Sequence, residues 1–251
     1  VKLYGIENNE LPMVQFTMRI DGGQSLDPQG KEGVASILGT MLKEGTKNRT
    51  PAELEEAIDL LGSSISTSVG LEGMYITGNT LAKNFKETIS LLTEMLTEPR
   101  WDVQAFDIVK NRRMNSIKQR KTNAQSVAFS ALAKQLYGSN HPASTPLGGT
   151  EKTVNSITMK DIKNYFESNI SPKVSHFHIA GDIKQTTAQR LLGQLSQSWR
   201  GEKIDIPEIA SVQSPVKPKV FFIDIPDAKQ SAISVGTLTM PGDDPELFKL
   251  T

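Results

Sequence analysis

Residues 33–46 read Gly33-Val-Ala-Ser-Ile-Leu-Gly-Thr-Met-Leu-Lys-Glu-Gly-Thr46. Their apolar side chains recur at spacings of three and four, which is the period of a helix with one buried face. These are Val34, Ile37, Leu38, Met41 and Leu42. Gly45 stands where such a helix would end. The stretch therefore predicts a short helix whose apolar face packs into a core.

The same helix has the frame of the inverted zinc motif H-x-x-E-H without its chemistry. In that motif helical spacing directs two imidazoles at one metal and a carboxylate at the metal's water. The five positions here are Ser36, Ile37, Leu38, Gly39 and Thr40. Hydroxyls are poor neutral ligands for zinc, and Gly39 has no group that could take a proton. An alternative stays open, namely an ordinary amphipathic helix that fits the frame by coincidence.

Composition excludes several classes of protein. The 251 residues are 37% hydrophobic, with 28 basic and 28 acidic residues. This balance argues against general attraction to nucleic acid or to an anionic membrane. No apolar run is long enough to cross a bilayer. Cysteine is absent, which excludes disulfides and cysteine-bound metals. Because the sequence starts at Val1 and not at Met, we expect it to be a piece of a longer protein.

Periodicity and capping signals predict alternating strands and helices. Strands are predicted at 1–5 and 12–20, joined as a hairpin, at 63–69 and 74–80, joined as an antiparallel pair, and at 173–180. Helices are predicted from Thr50 to Leu61, across 85–96, over 103–136 with a break near Thr122-Asn123, from Thr158 to 168, and across 186–199. Thr50/Glu53 and Thr158/Asp161 have the spacing of capping boxes. Residues 137–150 are predicted to be irregular.

The character of the chain changes after Trp199. Residues 202–218 contain Pro207, Pro215 and Pro218 and show no helical period, which is typical of a linker between domains. Two further strands are predicted at 220–225 and 231–238. Since some thirty residues cannot bury a core of their own, these strands either join the first sheet or begin a second domain.

The order of elements resembles one half-repeat of the insulinase (pitrilysin) family of zinc peptidases. The resemblance spans nearly the whole chain and depends on several weak motifs in the family's order. They are Ile20-Asp-Gly-Gly to Gly33, Gly33-Val34-Ala35, Met41-Leu42 with Gly45-Thr46, Phe106 to Arg120, Leu136-Tyr137-Gly138 with His141-Pro142 and Leu147-Gly148, Ile157-Thr158 with Asp161, Ile179-Ala180-Gly181-Asp182, and Asp224 to Leu238.

The resemblance implies a fold and a division into domains. The expected fold is α+β, a mostly antiparallel sheet with helices packed on one side. Residues 1–201 would form an insulinase-like domain that lacks the zinc site. Residues 202–218 would be a linker, and residues 219–251 the first strands of a truncated second domain of the same kind.

None of the family's catalytic residues is present at the positions that correspond to them by the resemblance. The first histidine ligand corresponds to Ser36, the second to Thr40 and the glutamate base to Gly39. The third ligand, a glutamate on the family's long helix, falls at Ser116. The resemblance thus implies no catalytic, cofactor-binding or metal-binding residue in this chain, with zinc expected in a partner half.

Members of the family act as paired halves, of which one commonly keeps the zinc site. The resemblance implies that this chain is the non-catalytic half, enclosing unfolded peptide while the partner half hydrolyses it. The partner would be fused upstream or be a separate subunit. Residues 48–54 and 60–62 resemble the second half of long fused bacterial members. A periplasmic or secreted location is preferred to a cytoplasmic one. Two alternatives remain: a structural or assembly subunit that uses the fold as a scaffold, and a peptide-binding module that captures chains on an edge strand.

Two further groups of residues were weighed as sites. His176 and His178 are two residues apart on a predicted strand, so both side chains leave the same face of it. They could bind a metal ion together or be a structural pair, and we prefer the structural pair. A basic helix could bind nucleic acid or acidic peptide, or could be a solvated helix face, and the solvated face is preferred. Its residues are Lys110, Arg112, Arg113, Lys118, Arg120 and Lys121.

Overall fold

A five-stranded sheet is the centre of the larger of two units into which the chain divides. In the computed structural model, residues 1–213, 217–226, 228–242 and 244–249 are described. The larger unit comprises Val1–Met114 with Leu147–Pro207, and the smaller comprises Asn115–Pro146 with Glu208–Thr251. Pro215 of the predicted linker lies outside the described residues.

The strands are β1 Lys2–Glu7, β2 Met13–Asp21, β3 Ser64–Val69, β4 Gly73–Leu81 and β5 Ser175–Gly181. Their order across the sheet is β1-β5-β2-β4-β3. Only the β1–β5 pair is parallel among these strands, so the predicted mostly antiparallel sheet is confirmed.

The predicted hairpin between β1 and β2 is wrong, because β5 lies between them. Met18 and Leu3 both pair with Phe177 of β5, one on each side. The end of β5 is held by both neighbours, since the amide of Asn8 donates to Gly181 O at 3.0 Å and the amide of Asp182 donates to Met13 O at 2.9 Å. A strand that arrives from more than 150 residues away leaves no signal in the local turn sequence.

Eight α-helices are found among the described residues. They are α1 Val34–Met41, α2 Pro51–Leu60, α3 Phe85–Thr97, α4 Val103–Thr122, α5 Ala124–Tyr137, α6 Glu151–Ser156, α7 Met159–Asn169 and α8 Gln185–Ser198. The predicted capping boxes at Thr50/Glu53 and Thr158/Asp161 are both formed. Helix α6 was not predicted, because its start signal pairs Thr150 with Thr153 in place of the usual glutamate.

One face of the sheet is buried beneath helices and the other is open. Along β2, Val14, Phe16, Met18 and Ile20 are buried, whereas Gln15 between them is exposed. The period of two places the apolar side chains on one face only. The helices that cover this face contribute the buried side chains Leu38, Leu92 and Leu192, among others. The α+β arrangement with helices on one side is as the sequence predicts.

The C-terminal segment differs from its prediction. No strand is present within the described part of 220–225 or 231–238. A strand is stable only when its backbone groups pair with another strand, and these stretches have no such partner among the described residues. Val220, Phe222, Ile233 and Val235 are each more than four-fifths exposed. The second domain therefore stays a prediction. Of the helices described, none is both long and apolar enough to span a membrane.

Candidate functional site

Helix α1 presents its degenerate positions to a cavity beside β3, while its other face is in the core. Val34, Ile37, Leu38 and Met41 have no exposed surface, so the predicted packing face is confirmed. On the other side of the helix a cavity of about 240 Å³ opens beside β3. It is lined by Ser36, Gly39, Thr40, Thr67, Ser68, Val69, Arg113 and Leu147.

Arg113 of α4 reaches the position of the first missing ligand. Its Nη2 donates a hydrogen bond of 2.6 Å to the Oγ of Ser36. The guanidinium also lies against Gly148, where an added Cβ would be only 2.8 Å from Nη1. A positively charged side chain therefore stands beside the position that a histidine occupies in the zinc motif.

The fourth degenerate position predicted from the sequence is placed differently. Ser116 lies on α4 and is exposed to solvent. Arg113, three residues earlier and thus about one helical turn away, is the α4 side chain that lines the cavity. Ser36, Gly39 and Thr40 line one cavity together with Arg113, which the sequence does not identify as their neighbour.

The basic helix is only partly the solvated face that was preferred. Arg112 and Lys118 are exposed, as predicted. Lys110 instead donates from Nζ to the carbonyl of Asn155 at 2.8 Å and to that of Ile157 at 2.7 Å. A lysine at the C-terminal end of a helix satisfies carbonyls that the helix leaves unpaired, so Lys110 caps α6. Neither Lys110 nor Arg113 is a freely solvated charge.

Gly39, at the position of the missing base, allows α1 to approach β3 closely. The Oγ1 of Thr67 donates a 2.6 Å hydrogen bond to the carbonyl of Gly39. A Cβ at Gly39 would lie 3.0 Å from Cγ2 of Val69, a separation that would require Val69 to move. The helix is thus seated where a glutamate side chain would be crowded.

Thr40, at the second missing histidine, directs its hydroxyl back to the helix. Its Oγ1 donates to the carbonyl of Ser36 at 3.3 Å, a common arrangement for threonine within a helix. Histidine at Ser36 or Thr40 would therefore lose a side-chain hydrogen bond, and a glutamate at Gly39 would be crowded by Val69.

The residues present do not fit a zinc ion. Within the described lining of the cavity, Arg113 is the one charged side chain and no imidazole or carboxylate occurs. A catalytic zinc site needs three good protein ligands. Across the described residues no group of three or more His, Cys, Asp or Glu side chains could hold a metal.

Asp27 holds the N-terminus of α1 and was not singled out from the sequence. Its Oδ2 accepts from the amide of Gly33 at 2.6 Å and its Oδ1 from the amide of Ala35 at 2.9 Å. Burial raises the pKa of Asp27 from 3.8 to about 7, despite the opposing effect of these amides. Burial, followed by the charge of Asp27, also raises the pKa of Tyr165, whose hydroxyl donates to Gly23 O at 2.6 Å. The only sequence signal was an acidic residue in the loop before the helix.

The histidine pair lies on the open face of the sheet. His176 Nε2 is 3.1 Å from Oδ2 of Asp21, and the ring of Tyr4 stacks on His178 with centroids 5.0 Å apart. Tyr4 also stacks on His176. The pair packs against an aromatic ring and one carboxylate, which supports the structural interpretation over a metal pair.

The sequence matches two family models that together span most of the chain. One is described as "Insulinase (Peptidase family M16)" and matches residues 5–151, and the other as "Peptidase M16 inactive domain" and matches residues 156–251. Because the first match covers more than half of the chain, the protein belongs to the insulinase family.

Similar proteins include members described as inactive and members named as peptidases. The non-peptidase homolog YmxG of Helicobacter pylori is 25% identical over 202 residues, which are 80% of this chain and 46% of that protein. The mitochondrial-processing peptidase subunit beta of Bos taurus is 23% identical over 215 residues, which are 84% of this chain and 44% of that protein. The chain thus spans about half the length of the curated relatives it matches.

Solved structures confirm the fold. A peptidase M16 inactive domain from Pseudomonas fluorescens has a TM-score of 0.79 at 21% identity, over 85% of this chain and 52% of that one. Pitrilysin has a TM-score of 0.72 at 15% identity, over 83% of this chain and 23% of that one. The α+β fold is therefore that of the insulinase family, and the matches include proteins described as non-peptidase or inactive.

Proposed function

We propose that this chain is the non-catalytic half of an insulinase-family zinc peptidase, enclosing a peptide substrate while a partner half hydrolyses it. The observation that carries the proposal is the contact of Arg113 with Ser36 at 2.6 Å. It places a guanidinium beside the position where the zinc motif has a metal ligand, so a zinc ion there would meet a cation in place of a donor.

The partner would be a second insulinase-like half that carries H-x-x-E-H and the zinc, either fused upstream or as a separate subunit. Two findings support a pair of halves. Curated relatives are about twice as long as the matched part of this chain, and one of them is named as the beta subunit of a processing peptidase. The second family model is itself described as an inactive domain of the family.

The test is a reconstitution with purified proteins. The chain alone, supplied with zinc, should contain no stoichiometric metal and should leave an unfolded polypeptide uncut. Addition of an insulinase-family half containing H-x-x-E-H from the same genome should produce cleavage that a chelator abolishes. Peptide hydrolysis by the chain alone that a chelator stops would contradict the proposal.

The same experiment separates the scaffold alternative. A structural subunit would associate with the catalytic half without changing its turnover or its choice of peptides. A substrate-enclosing half should raise turnover of unfolded polypeptide at least about tenfold over the catalytic half alone, because it contributes to orienting the substrate. Association without any change in turnover would favour the scaffold.

A further inference from the structure

Strand β1 ends the sheet with an apolar edge that lacks the usual protection. No strand pairs with its outer side within the part of the chain that the structure describes. Natural edge strands avoid other chains through central lysines, prolines, bulges or inward-pointing charges. In β1 the charged residues stand only at the ends, as Lys2 and Glu7, and between them Tyr4 is 50% and Ile6 72% exposed. The edge is therefore suited to pairing with another strand.

The backbone groups that face outward follow from the pairing of β1 with β5. The amide of Asn8 donates to Gly181 O, so the even-numbered residues of β1 direct their amides and carbonyls to β5. Successive residues of a strand direct these groups to opposite sides. Leu3, Gly5 and Glu7 therefore direct theirs away from β5, where a further strand would lie.

The side chains of β1 complement a second copy of the same strand in antiparallel pairing. With Gly5 opposite Gly5 of the second copy, the outward groups of Leu3 meet those of Glu7, and all three residues form hydrogen-bonded pairs. Tyr4 then lies opposite Ile6 of the other copy, in the type of pair that brings side chains closest. An aromatic ring beside a branched aliphatic side chain is a favourable cross-strand pair. The Lys2 end of each strand lies beside the Glu7 end of the other, so the charges at the ends are complementary as well.

We propose that the outer edge of β1 pairs with β1 of a second copy of this chain, so that the two five-stranded sheets become one continuous sheet. The contact uses the same surface on both copies, as a two-fold axis requires. It is independent of the proposed function, because β1 and the cavity beside β3 lie at opposite edges of the sheet.

Disulfide trapping tests both the contact and its register. The sequence has no cysteine, so single cysteines can be introduced without competing thiols. Tyr4→Cys and Ile6→Cys chains are mixed in equal amounts and equilibrated in a glutathione buffer, and the linked dimers are identified by mass. Directly opposed residues of this type have Cα atoms about 4.5 Å apart, within reach of a disulfide. Two residues at the same position would be diagonal neighbours about 7–8 Å apart, which is beyond that reach.

The mixed dimer should exceed each of the two like dimers at least about tenfold, because only the mixed pair has disulfide geometry. A random mixture, an excess of either like dimer, or no linked dimer at all would overturn the proposal. Ser64→Cys mixed with Ser66→Cys is the matched control, since both residues are exposed on the opposite edge strand β3. This pair should give no excess of mixed dimer.

Proline at residue 5 tests the backbone pairing. Because the amide of Gly5 faces outward, Gly5→Pro removes a donor to the second copy and none to β5, and edge strands tolerate proline in that position. Gly5→Ala is the matched control, because it places a Cβ beside Ile179 and keeps the amide. In both cysteine chains, Gly5→Pro should lower the yield of mixed dimer at least about tenfold, whereas Gly5→Ala should preserve it.

Equal yields of mixed dimer with proline and with alanine would contradict the proposal. The trapping experiment needs neither variant, so it decides the question by itself if Gly5→Pro does not fold. Failure here leaves the proposed function intact, because reconstitution with the catalytic half tests that function separately.

Discussion

Ser36, Gly39 and Thr40 stand at the positions of the zinc motif and make a different set of contacts. Ser36 accepts a hydrogen bond from Arg113, and the carbonyl of Gly39 accepts one from Thr67. Thr40 donates a hydrogen bond to the carbonyl of Ser36 in the same helix. Interiors are close-packed, so such replacements are hard to reverse one residue at a time.

Restoration of the motif on α1 should fail to restore zinc. The variant Ser36→His/Gly39→Glu/Thr40→His supplies two histidine ligands and leaves the position of the third ligand, Ser116, unfilled. Arg113 also opposes the cation, and Val69 crowds the new glutamate. We expect no zinc binding at micromolar concentrations and a loss of about 1–3 kcal/mol in the free energy of unfolding from overpacking. Calorimetric zinc titration and urea denaturation measure the two effects.

The single variant Thr40→His serves as the control for that experiment. It leaves Gly39 and the contact between Arg113 and Ser36 in place, so its cost should stay below about 1 kcal/mol. Stoichiometric zinc in the triple variant would show that Arg113 moves aside readily, and it would contradict the prediction.

Asp27 should make stability depend on pH. Its pKa is about 7 in the folded protein and near 3.8 when unfolded, so between these values the folded state holds a proton that the unfolded state has released. The contribution of Asp27 to stability is fully present below about pH 4 and is lost as the pH rises through 7. The unfolding free energy of the unaltered protein minus that of Asp27→Asn should therefore fall across this range.

Denaturant titrations from pH 4 to pH 8 measure this difference. Asp59→Asn, an exposed carboxylate on α2, controls for the loss of one negative charge. Asp27→Asn should also be the less stable protein at low pH, since its amide offers one oxygen where two backbone amides donate. A difference in unfolding free energy that stays constant with pH would refute the raised pKa of Asp27.

Secondary elements were predictable where their signals are local. Thr50/Glu53 and Thr158/Asp161 were recognised because a capping box lies within four residues. The hairpin failed because β5, the partner inserted between β1 and β2, comes from the far end of the domain. Arg113 was missed for a related reason. Its helix is basic along much of its length, and only the tertiary structure shows which cation is turned towards α1.

The cap of α7 gives a test at the scale of one element. The hydroxyl of Thr158 accepts a hydrogen bond from the amide of Asp161. The carboxylate of Asp161 accepts hydrogen bonds from the amide and the hydroxyl of Thr158. Thr158→Ala should lower the free energy of unfolding by about 1 kcal/mol, the usual value of an N-cap. Thr186→Ala in the first turn of α8, where no side chain caps the helix, should change it by less than about 0.5 kcal/mol. Equal effects at the two positions would refute a capping role.

At the scale of the whole molecule, the chain combines a closed core with an unusually exposed apolar segment. One face of the sheet and the apolar face of α1 are buried. Residues 220–235 instead expose Val220, Phe222, Ile233 and Val235. Sequence alone predicts strands at 220–225 and 231–238. Whether a strand forms depends on a partner strand, which local sequence does not specify.

These four side chains should make the chain associate with itself in solution. Each of them is more than four-fifths exposed, and exposed apolar surface drives association. The variant Val220→Ser/Phe222→Ser/Ile233→Ser/Val235→Ser should sediment as a smaller species at about 100 μM and bind less of a hydrophobic dye. Since each side chain is exposed, the urea midpoint should change little, by about 0.5 kcal/mol or less per site.

Lys219→Ser, Asp224→Ser and Lys229→Ser in one chain form the matched control, because they alter exposed polar residues of the same segment. This control should leave sedimentation as in the unaltered protein. A strictly monomeric parent chain at the highest concentration would contradict the prediction. A loss of several kcal/mol in the apolar variant would also contradict it, by showing that the four side chains are buried in the folded protein.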